Sequence, residues 1–353
     1  MSSRLDDPQR IPRMDPGNML GAVNRFPDFL MDAARLGHVE VRALGSIENI
    51  LLVGMGGSGS AADVLHDWLG PRMKVPMLVL RESILPKFVG PQTLLVAVSY
   101  SGETGETLAV FRKAVKRGCA VAGIGSGGTL AADCKKLGAP FLRVPQGLLP
   151  RAALAPMVGT GALLLESFGF VRRVRVELLE AARELVKLQE SLRAEIPGPR
   201  NLAKKIAYEL VGKVPVVYCL QRMSSVARRA MNQFAENSKV LAKYELLPEA
   251  GHNEVVAWQG RDTRAFPIIV RDNEETEGEK VVVGAFKNTL IRLGRISPLE
   301  VRTSAMSPLG RILAPILLFD YVSVYLAVQR GVDPTPTLGI QEYRRLLSVK
   351  NHR

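Results

Sequence analysis

From residue 49 onward, short apolar runs alternate with longer segments of helical periodicity, and this alternation restricts the possible folds. NILLV is followed by the helical stretch SAADVLHDWLG, and VPMLVL and TLLVAVSY are two further apolar runs. Runs that are apolar at every position are typical of strands buried on both faces, as in parallel sheets covered by helices. The sequence therefore predicts an α/β fold with doubly wound, mostly parallel sheets.

The same alternation occurs twice, on either side of a long helical stretch. The chain has 353 residues, which is more than one hydrophobic core usually serves. Residues 196–201 (IPGPRN) are rich in proline and glycine, as is typical of a boundary. We therefore expect an N-terminal helical segment at residues 1–45, a first α/β subdomain at 46–195 and a second at 196–353.

The formal net charge of +13 raises the question of a nucleic-acid partner. Basic residues are spread along helices together with acidic ones, as in VRRVRVELLEAARELVKLQESLRAE, and no basic stretch is interleaved with aromatic residues. Such helices are solvated and carry ion pairs, so we expect no nucleic-acid partner. Anionic substrates, or the surface of a thermophilic protein, account better for the charge.

Three cysteines, Cys119, Cys134 and Cys219, lie in or beside apolar segments and form no pair at metal-ligand spacing. They favour a reducing compartment and argue against a disulfide framework. The N-terminus has no apolar signal segment. The longest apolar stretch, ILAPILLFDYVSVYLAV, contains an aspartate and two tyrosines, whereas a membrane span needs about 20 mostly apolar residues. We expect a cytoplasmic protein with no membrane partner, in which this stretch is a buried helix.

The segment GMGGSGSAAD, at residues 54–63, places Gly-x-Gly-x-x-Gly at the end of a predicted strand. Such a turn presents main-chain N–H groups at a helix N-terminus, where they bind anions. A dinucleotide site needs an acidic residue at the end of the second strand, and there VPMLVL is followed by Arg81 and Glu82. Because Arg81 suits a ribose phosphate, an NADP site stays open on this loop alone, as does a turn without a ligand.

A second polar loop, SYSGETGET at residues 99–107, follows the third predicted strand. Ser99 and Ser101 occupy alternate positions and point the same way in an extended segment. Thr104 lies at a predicted helix start, where a hydroxyl caps the helix or bonds an oxyanion, and capping alone also explains it. Two such loops after core strands suit one compact phosphate monoester better than a dinucleotide.

Together, GMGGSG and SYSGET resemble the sugar isomerase (SIS) domain, which binds phosphosugars and occurs in tandem in isomerases of this type. The resemblance covers residues 45–340 and implies two SIS-type subdomains, a phosphosugar substrate and no cofactor. It also implies which residues contact the phosphate group. These are Gly56, Gly57, Ser58, Ser99, Ser101 and Thr104.

Candidates for acid–base chemistry lie in the second half of the chain. Glu236 lies on a helix that the periodicity predicts over residues 224–244, and His252 lies in the polar turn PEAGHNE. Singly, a solvated glutamate and a turn histidine are the simpler interpretations. Together with the two loops, the pattern ENS…GHNEVVAW resembles phosphoglucose isomerases, most closely the archaeal bifunctional phosphoglucose/phosphomannose isomerases.

That resemblance implies an aldose–ketose isomerase that interconverts glucose 6-phosphate, and mannose 6-phosphate, with fructose 6-phosphate through a cis-enediolate. Glu236 would act as the base that moves a proton between C2 and C1. His252 would open the sugar ring and, in the family, reaches the site from the neighbouring subunit, which implies a homodimer. Arg151, in LLPRAAL, matches the family's arginine and would supply a cation for the enediolate.

The C-terminal stretch DPTPTLGIQEYRRLL departs from the family pattern. The family has a threonine here that leaves room for either configuration at C2; Thr335 and Thr337 are available, and we assign Thr337. A lysine that assists ring opening follows in the family, whereas the next lysine here is Lys350. Arg344 lies on the same helical face as Thr337, although arginine is a poorer proton donor than lysine.

Two other classes of protein stay open. A SIS-type regulator would bind a phosphosugar without turnover, but Glu236, His252 and the second α/β half argue against it. An NADP-dependent oxidoreductase would be protected by NADP, and the serine-rich second loop argues against that. With four scattered histidines and no cluster of Cys or His, the sequence predicts no metal site.

Overall fold

A computed structural model describes residues 4–37, 39–42, 44–260 and 264–350, the last three without their side chains. The strands are β1 (Asn49–Val53), β2 (Met77–Leu80), β3 (Thr93–Val98), β4 (Ala120–Gly125), β5 (Phe141–Arg143), β6 (Val214–Leu220), β7 (Lys243–Leu247), β8 (Ala265–Val270) and β9 (Leu299–Val301). The helices are α1 (Arg10–Met14), α2 (Met19–Asn24), α3 (Phe26–Ala34), α4 (Gly56–Leu69), α5 (Gly105–Lys116), α6 (Gly128–Leu137), α7 (Leu154–Ser167), α8 (Val174–Leu192), α9 (Leu202–Glu209), α10 (Ser224–Glu236), α11 (Glu277–Thr289), α12 (Pro308–Arg330) and α13 (Leu338–Lys350).

The strands form two sheets, one in each half of the chain. The first has the order β2-β1-β3-β4-β5 and the second β7-β6-β8-β9, and every neighbouring pair is parallel. The order reverses beside β1 and beside β6, so a crevice opens at the carboxyl ends of the strands there. All six residues of β3 are buried, as expected of a strand covered on both faces. The predicted α/β fold with doubly wound parallel sheets is confirmed.

One predicted helix is too long. The sequence predicted a helix over residues 224–244, but α10 ends at Glu236 and β7 follows it. β7 is an edge strand of the second sheet, and its Lys243 and Glu245 form an ion pair at 3.2 Å. Charged side chains are common on edge strands because they discourage further pairing. The same charges obscured the apolar alternation from which a strand is predicted.

The long helix α12 lies in a core that both halves share. It packs against α2, α8, α9 and α10, and the largest buried apolar cluster includes residues of both sheets. By length and composition α12 is the one described helix that could cross a membrane, but 94% of its most apolar window is buried inside the protein. It is therefore the buried core helix that the sequence predicts. The subdomain boundaries near residues 45 and 195 remain a prediction.

Candidate active site

The first glycine-rich loop connects β1 to α4. Gly56 begins the helix with a φ of +53°, a left-handed value, and among the described residues no side chain caps α4. The N–H groups of Ser58 and Gly59 donate to the carbonyl oxygen of Met55 at 3.1 and 3.2 Å, so those of Gly56 and Gly57 are the ones available to an anion. A Cβ on Gly57 would lie 2.7 Å from the carbonyl oxygen of Pro150 and 3.2 Å from the Cα of Arg151. Only glycine allows this close approach between the loop and the segment that carries Arg151.

The second loop follows β3 and is hydrogen-bonded to the first. The N–H of Tyr100 donates to Oγ of Ser58 at 3.0 Å. Ser99 is fully buried, with its Oγ 3.0 Å from Oγ1 of Thr104, whereas Ser101 is exposed. The predicted phosphate contacts are thus adjacent, but the hydroxyls of Ser58 and Ser99 already have partners within the protein. Thr104 shares that contact with Ser99, and Oγ of Ser101 accepts the N–H of Glu103 at 3.2 Å, so the exposed Ser101 hydroxyl keeps its proton available to a ligand.

Arg151 and Glu236 face each other across the two halves. Nη1 of Arg151 lies 3.8 Å from Oε2 of Glu236. The arginine side chain is only 3% exposed, whereas the glutamate side chain, on the last residue of α10, is 23% exposed. Burial lowers the pKa of Arg151, and the charge of Glu236 opposes that shift. A reachable carboxylate beside a buried cation suits proton abstraction with stabilisation of the resulting anion.

Three further hydrogen bonds hold the Arg151 side chain. Its Nε donates to Oδ1 of Asn237 at 2.8 Å, and its Nη2 donates to the carbonyl oxygens of Pro334 at 3.0 Å and Thr335 at 2.7 Å. The guanidinium therefore connects the end of α10 to the segment that precedes α13. Thr335, rather than the assigned Thr337, is the threonine in direct contact with Arg151.

A second buried ion pair supports the main chain of Arg151. Arg229 donates to both carboxylate oxygens of Asp320, at 3.1 and 2.9 Å, and its Nη2 also donates to the carbonyl oxygen of Arg151 at 2.7 Å. Both side chains of the pair are at most 3% exposed. Burial raises the pKa of Asp320 despite the neighbouring charge of Arg229. Such a two-pronged contact is geometrically strict, so it fixes where Arg151 lies.

Lys239, which the sequence analysis did not single out, closes the end of α10. Its φ is +54°, and its Nζ donates to the carbonyl oxygens of Glu236 at 2.7 Å, Asn237 at 3.3 Å and Pro334 at 3.0 Å. Burial of the ammonium group and the charge of Arg151 lower the pKa of Lys239. The sequence contained no signal for this role, because the predicted helix over residues 224–244 ran past Lys239; only the helix end at Glu236 places the lysine where it reaches the last carbonyl groups.

Three predicted site residues lie apart from this pair. His252 is exposed, and its main-chain N–H donates to the carbonyl oxygen of Glu249. Thr337 lies just before α13, and Arg344 is exposed on that helix. Over the residues described, no hydrogen bond or ion pair joins these three side chains to Glu236 or Arg151. Their roles in the site stay predictions.

The N-terminus of α10, unlike that of α4, is filled by a side chain from the other half. The carboxylate of Asp67, on α4, accepts the N–H of Ser225 at 2.7 Å and lies 3.3 Å from Oγ of Ser224. Nδ1 of His66 lies 3.2 Å from the same carboxylate, and this hydrogen bond raises the pKa of His66. A cavity of about 760 Å³ opens beside the cap, lined by none of the described candidate residues.

The cysteines and the clustered titratable groups offer no competing centre in the described part of the chain. Within the described ranges, no group of three or more Cys, His, Asp or Glu side chains could hold a metal ion. His38 and His352 lie outside those ranges. The three cysteines are free and buried, and burial raises the pKa of Cys134 to about 12. A thiol with a raised pKa is a weak nucleophile at neutral pH, so Cys134 is a poor candidate for a catalytic nucleophile.

Comparison with solved structures identifies the class to which this fold belongs. A hypothetical protein of Thermus thermophilus superposes with a TM-score of 0.71 at 20% sequence identity, covering 97% of this chain and 93% of the other. The tagatose-6-phosphate ketose/aldose isomerase of Escherichia coli gives 0.66 at 14% identity, with 95% and 96% covered. The fold is that of the tandem SIS phosphosugar isomerases.

The sequence comparisons narrow the class to one family. Residues 199–347 match the model of the bacterial phospho-glucose isomerase C-terminal SIS domain. The bifunctional phosphoglucose/phosphomannose isomerase of Caldicellulosiruptor bescii is 31% identical over 337 residues, covering 94% of this chain and 99% of that protein. The chain belongs to the bifunctional phosphoglucose/phosphomannose isomerase family and is an aldose–ketose isomerase. The resemblance predicted from the two loops and the ENS stretch is confirmed.

Proposed function

We propose that the protein interconverts fructose 6-phosphate with glucose 6-phosphate and with mannose 6-phosphate, and that Glu236 is the catalytic base. The observation that carries this proposal is the Arg151–Glu236 pair, 3.8 Å apart at the end of α10. The substrate names come from relatives such as the Caldicellulosiruptor bescii enzyme. The close approach of Gly57 to the Arg151 segment supports a phosphate site beside the pair.

The reaction needs one base and one stabilised anion. With the phosphate held by the N-terminus of α4 and by the loop around Ser101, the carboxylate of Glu236 takes the proton from C2 of the open-chain aldose. The electron pair forms the C1–C2 double bond, and Arg151 stabilises the negative charge on the enediolate oxygen. Glu236 then returns the proton to C1, and the oxygen-bound proton passes from O2 to O1, which yields the ketose.

The two aldoses arise from one intermediate. The ketose has no stereocentre at C2, so returning a proton to C2 from either face of the enediolate gives a glucose or a mannose derivative. A site that leaves space on both sides of C2 therefore handles both aldoses. Thr337 stays our assignment for the residue that leaves that space, and Arg344 for the helper in ring opening.

The active form in this proposal is a homodimer in which His252 serves the site of the partner. His252 is exposed and lies in the same part of the chain as Leu241 and Val256, whose side chains are 84% and 60% exposed. Apolar surface of this kind is typical of an interface. Helix α13 carries further exposed apolar residues, namely Leu338, Ile340, Tyr343, Leu346 and Leu347. A cytoplasmic location fits the free cysteines.

The first experiment is an isomerase assay of the purified protein with fructose 6-phosphate, EDTA and no added cofactor. Wild type should form both aldoses, and Glu236→Gln should lose activity by about 10³-fold or more, since the base is removed. Glu209→Gln is the matched control because Glu209 also ends a helix and is exposed. Turnover in deuterated water should place solvent deuterium in the products. A fully active Glu236→Gln variant, or binding without turnover, would contradict the proposal, and the latter favours a regulator.

A second experiment tests the shared site. Glu236→Gln and His252→Gln should each be nearly inactive, and mixing them under conditions of subunit exchange should restore activity. In a two-fold symmetric dimer, the mixed species has one intact site of two, so about a quarter of wild-type activity should return. Recovery that fails although mixed dimers form would place His252 in its own subunit's site.

A further inference from the structure

Lys239 is not free to act as a proton donor, because all three N–H donors of its ammonium group are used in hydrogen bonds within the protein. An ammonium group has three N–H donors. Three main-chain carbonyl oxygens, those of Glu236, Asn237 and Pro334, accept from Nζ at 2.7 to 3.3 Å. The side chain is thereby folded back onto the end of its own helix. A group so occupied holds its neighbours in place and does not exchange protons with a sugar.

The backbone of Lys239 also points to a required position. Left-handed φ values cost a residue with a side chain about 1–2 kcal/mol, and the φ of Lys239 is +54°. This turn ends α10 directly after Glu236, and the N–H of Val240 closes it by donating to the carbonyl oxygen of Phe234 at 3.1 Å. The turn lets the ammonium reach back over the last helical carbonyl group. The position of the Glu236 carboxylate is thus determined by the residue at which α10 ends.

Lys239 and Arg151 share an acceptor, which ties the base to the segment before α13. The carbonyl oxygen of Pro334 accepts from Nζ of Lys239 and from Nη2 of Arg151, both at 3.0 Å. On the far side, Oγ1 of Thr335 lies 3.5 Å from Oδ1 of the buried Asp15. Two cations therefore hold one turn against the C-terminal end of α10. Loss of either would let the turn and the carboxylate of Glu236 move relative to each other.

We propose that Lys239 is a positioning residue that sets the orientation of Glu236 and thereby the ratio of the two aldose products. This inference rests on the proposed function, since it acts through Glu236 and the shared enediolate. Before the sugars reach equilibrium, the ratio at which the two aldoses form depends on the face of C2 to which the carboxylate returns a proton. A carboxylate whose orientation is less restricted delivers protons to the two faces of C2 in a different proportion. The ratio therefore changes even when the phosphate group binds as before.

The test compares Lys239→Met and Lys239→Arg with a control, Lys280→Met. Lys280 lies on α11, pairs with the exposed Glu277 and touches none of the site residues named here. We expect Lys239→Met to lower kcat about 10- to 100-fold, with KM within about threefold, because displacement of a catalytic group by about 1 Å has effects of this size. The ratio of the initial rates at which the two aldoses form from fructose 6-phosphate should shift by at least about twofold, and Lys239→Arg should restore most of the wild-type kcat and ratio.

The product ratio separates positioning from mere loss of folded protein. A smaller folded fraction lowers total activity but leaves the ratio as it was. The inference is therefore overturned if Lys239→Met keeps the wild-type ratio, whether or not its activity falls, or if Lys280→Met shifts the ratio equally. The outcome is distinct from that of the main proposal. If Glu236→Gln is inactive while Lys239→Met behaves as wild type, only the role of Lys239 fails.

Discussion

The N-termini of α4 and α10 are equivalent ends in the two halves, yet they have different occupants. Each helix follows the strand beside which its sheet order reverses, β1 in one half and β6 in the other. α4 begins with glycines and has no side-chain cap among the described residues. α10 begins with two serines that bind the carboxylate of Asp67 from the first half.

This difference shows how a repeated fold divides its functions. A helix N-terminus attracts negative charge in either half, because its first N–H groups lack partners within the helix. In the first half that end has no side-chain cap, and in our proposal it binds the phosphate group, whereas in the second an internal carboxylate occupies it and joins the halves. The chemistry that we propose for the second half lies at the opposite end of α10, where Glu236, Lys239 and Arg151 meet.

Of the changes at these two helix ends, a substitution at the uncapped N-terminus of α4 should have the largest effect. Gly57→Ala places a Cβ 2.7 Å from the carbonyl oxygen of Pro150, so the Pro150–Arg151 main chain has to move. Overpacking costs about 1–3 kcal/mol, which corresponds to a fall in kcat/KM of roughly 5- to 150-fold if it is felt at the transition state. Steady-state kinetics with fructose 6-phosphate measure this. Gly278→Ala, in the first turn of α11 with no atom within 4 Å of the added Cβ, is the control. Equal activity of the two variants would remove Gly57 from the site.

An effect of intermediate size is expected when the carboxylate that caps the N-terminus of α10 is removed. Asp67→Ala leaves the N–H of Ser225 without its acceptor, which should lower the free energy of unfolding by about 1–3 kcal/mol. Urea unfolding measures this loss, and Asp67→Asn, which keeps an acceptor oxygen, should lose less. At a temperature where the variant is folded, KM for fructose 6-phosphate should match wild type, since the N-terminus of α4 is unchanged. A folded Asp67→Ala protein with a raised KM would show that the N-termini of α4 and α10 do not act independently.

The smallest expected effect is a pH dependence of stability that arises beside Asp67, at the N-terminus of α10. The hydrogen bond to Asp67 raises the pKa of His66 in the folded state, so the protonated histidine favours folding. Its contribution is fully present below the unfolded-state pKa of about 6.5 and is lost as the pH rises through the higher folded-state value. The stability difference between wild type and His66→Gln, about 0.2–1 kcal/mol for a partly exposed pair, should be larger at acidic than at alkaline pH. A difference that grows with pH would reverse this assignment.

The sequence predicted the parts of the molecule that local patterns determine. Continuous apolar runs predicted the central strands, and the two polar loops predicted adjacent segments at the carboxyl ends of β1 and β3. Glu236 and Arg151 were assigned by resemblance, and their contact joins residues far apart in the chain. β7 was missed because an edge strand carries charged residues that also suit a helix.

Other features of the site depend on contacts that no local pattern reveals. The partners of Lys239 include the carbonyl oxygen of Pro334, which belongs to a distant turn. Main-chain acceptors have no residue identity, so a lysine that binds three of them looks like any surface lysine in the sequence. The internal partners of Ser58 and Ser99 were hidden for the same reason, since one hydroxyl suits a phosphate or a neighbouring N–H equally well.

The central position of α12 has a consequence for the order in which the protein is made. A ribosome completes α8, α9 and α10 before it reaches Pro308–Arg330, so their apolar faces have no partner until α12 has been synthesised. Nascent chains in that condition expose apolar surface and are prone to aggregate. A product truncated before α12 would contain both loops, Arg151 and Glu236, but it would lack Asp320, which holds Arg229 against the main chain of Arg151. Translation that stops short of α12 would therefore yield no working fraction of the enzyme.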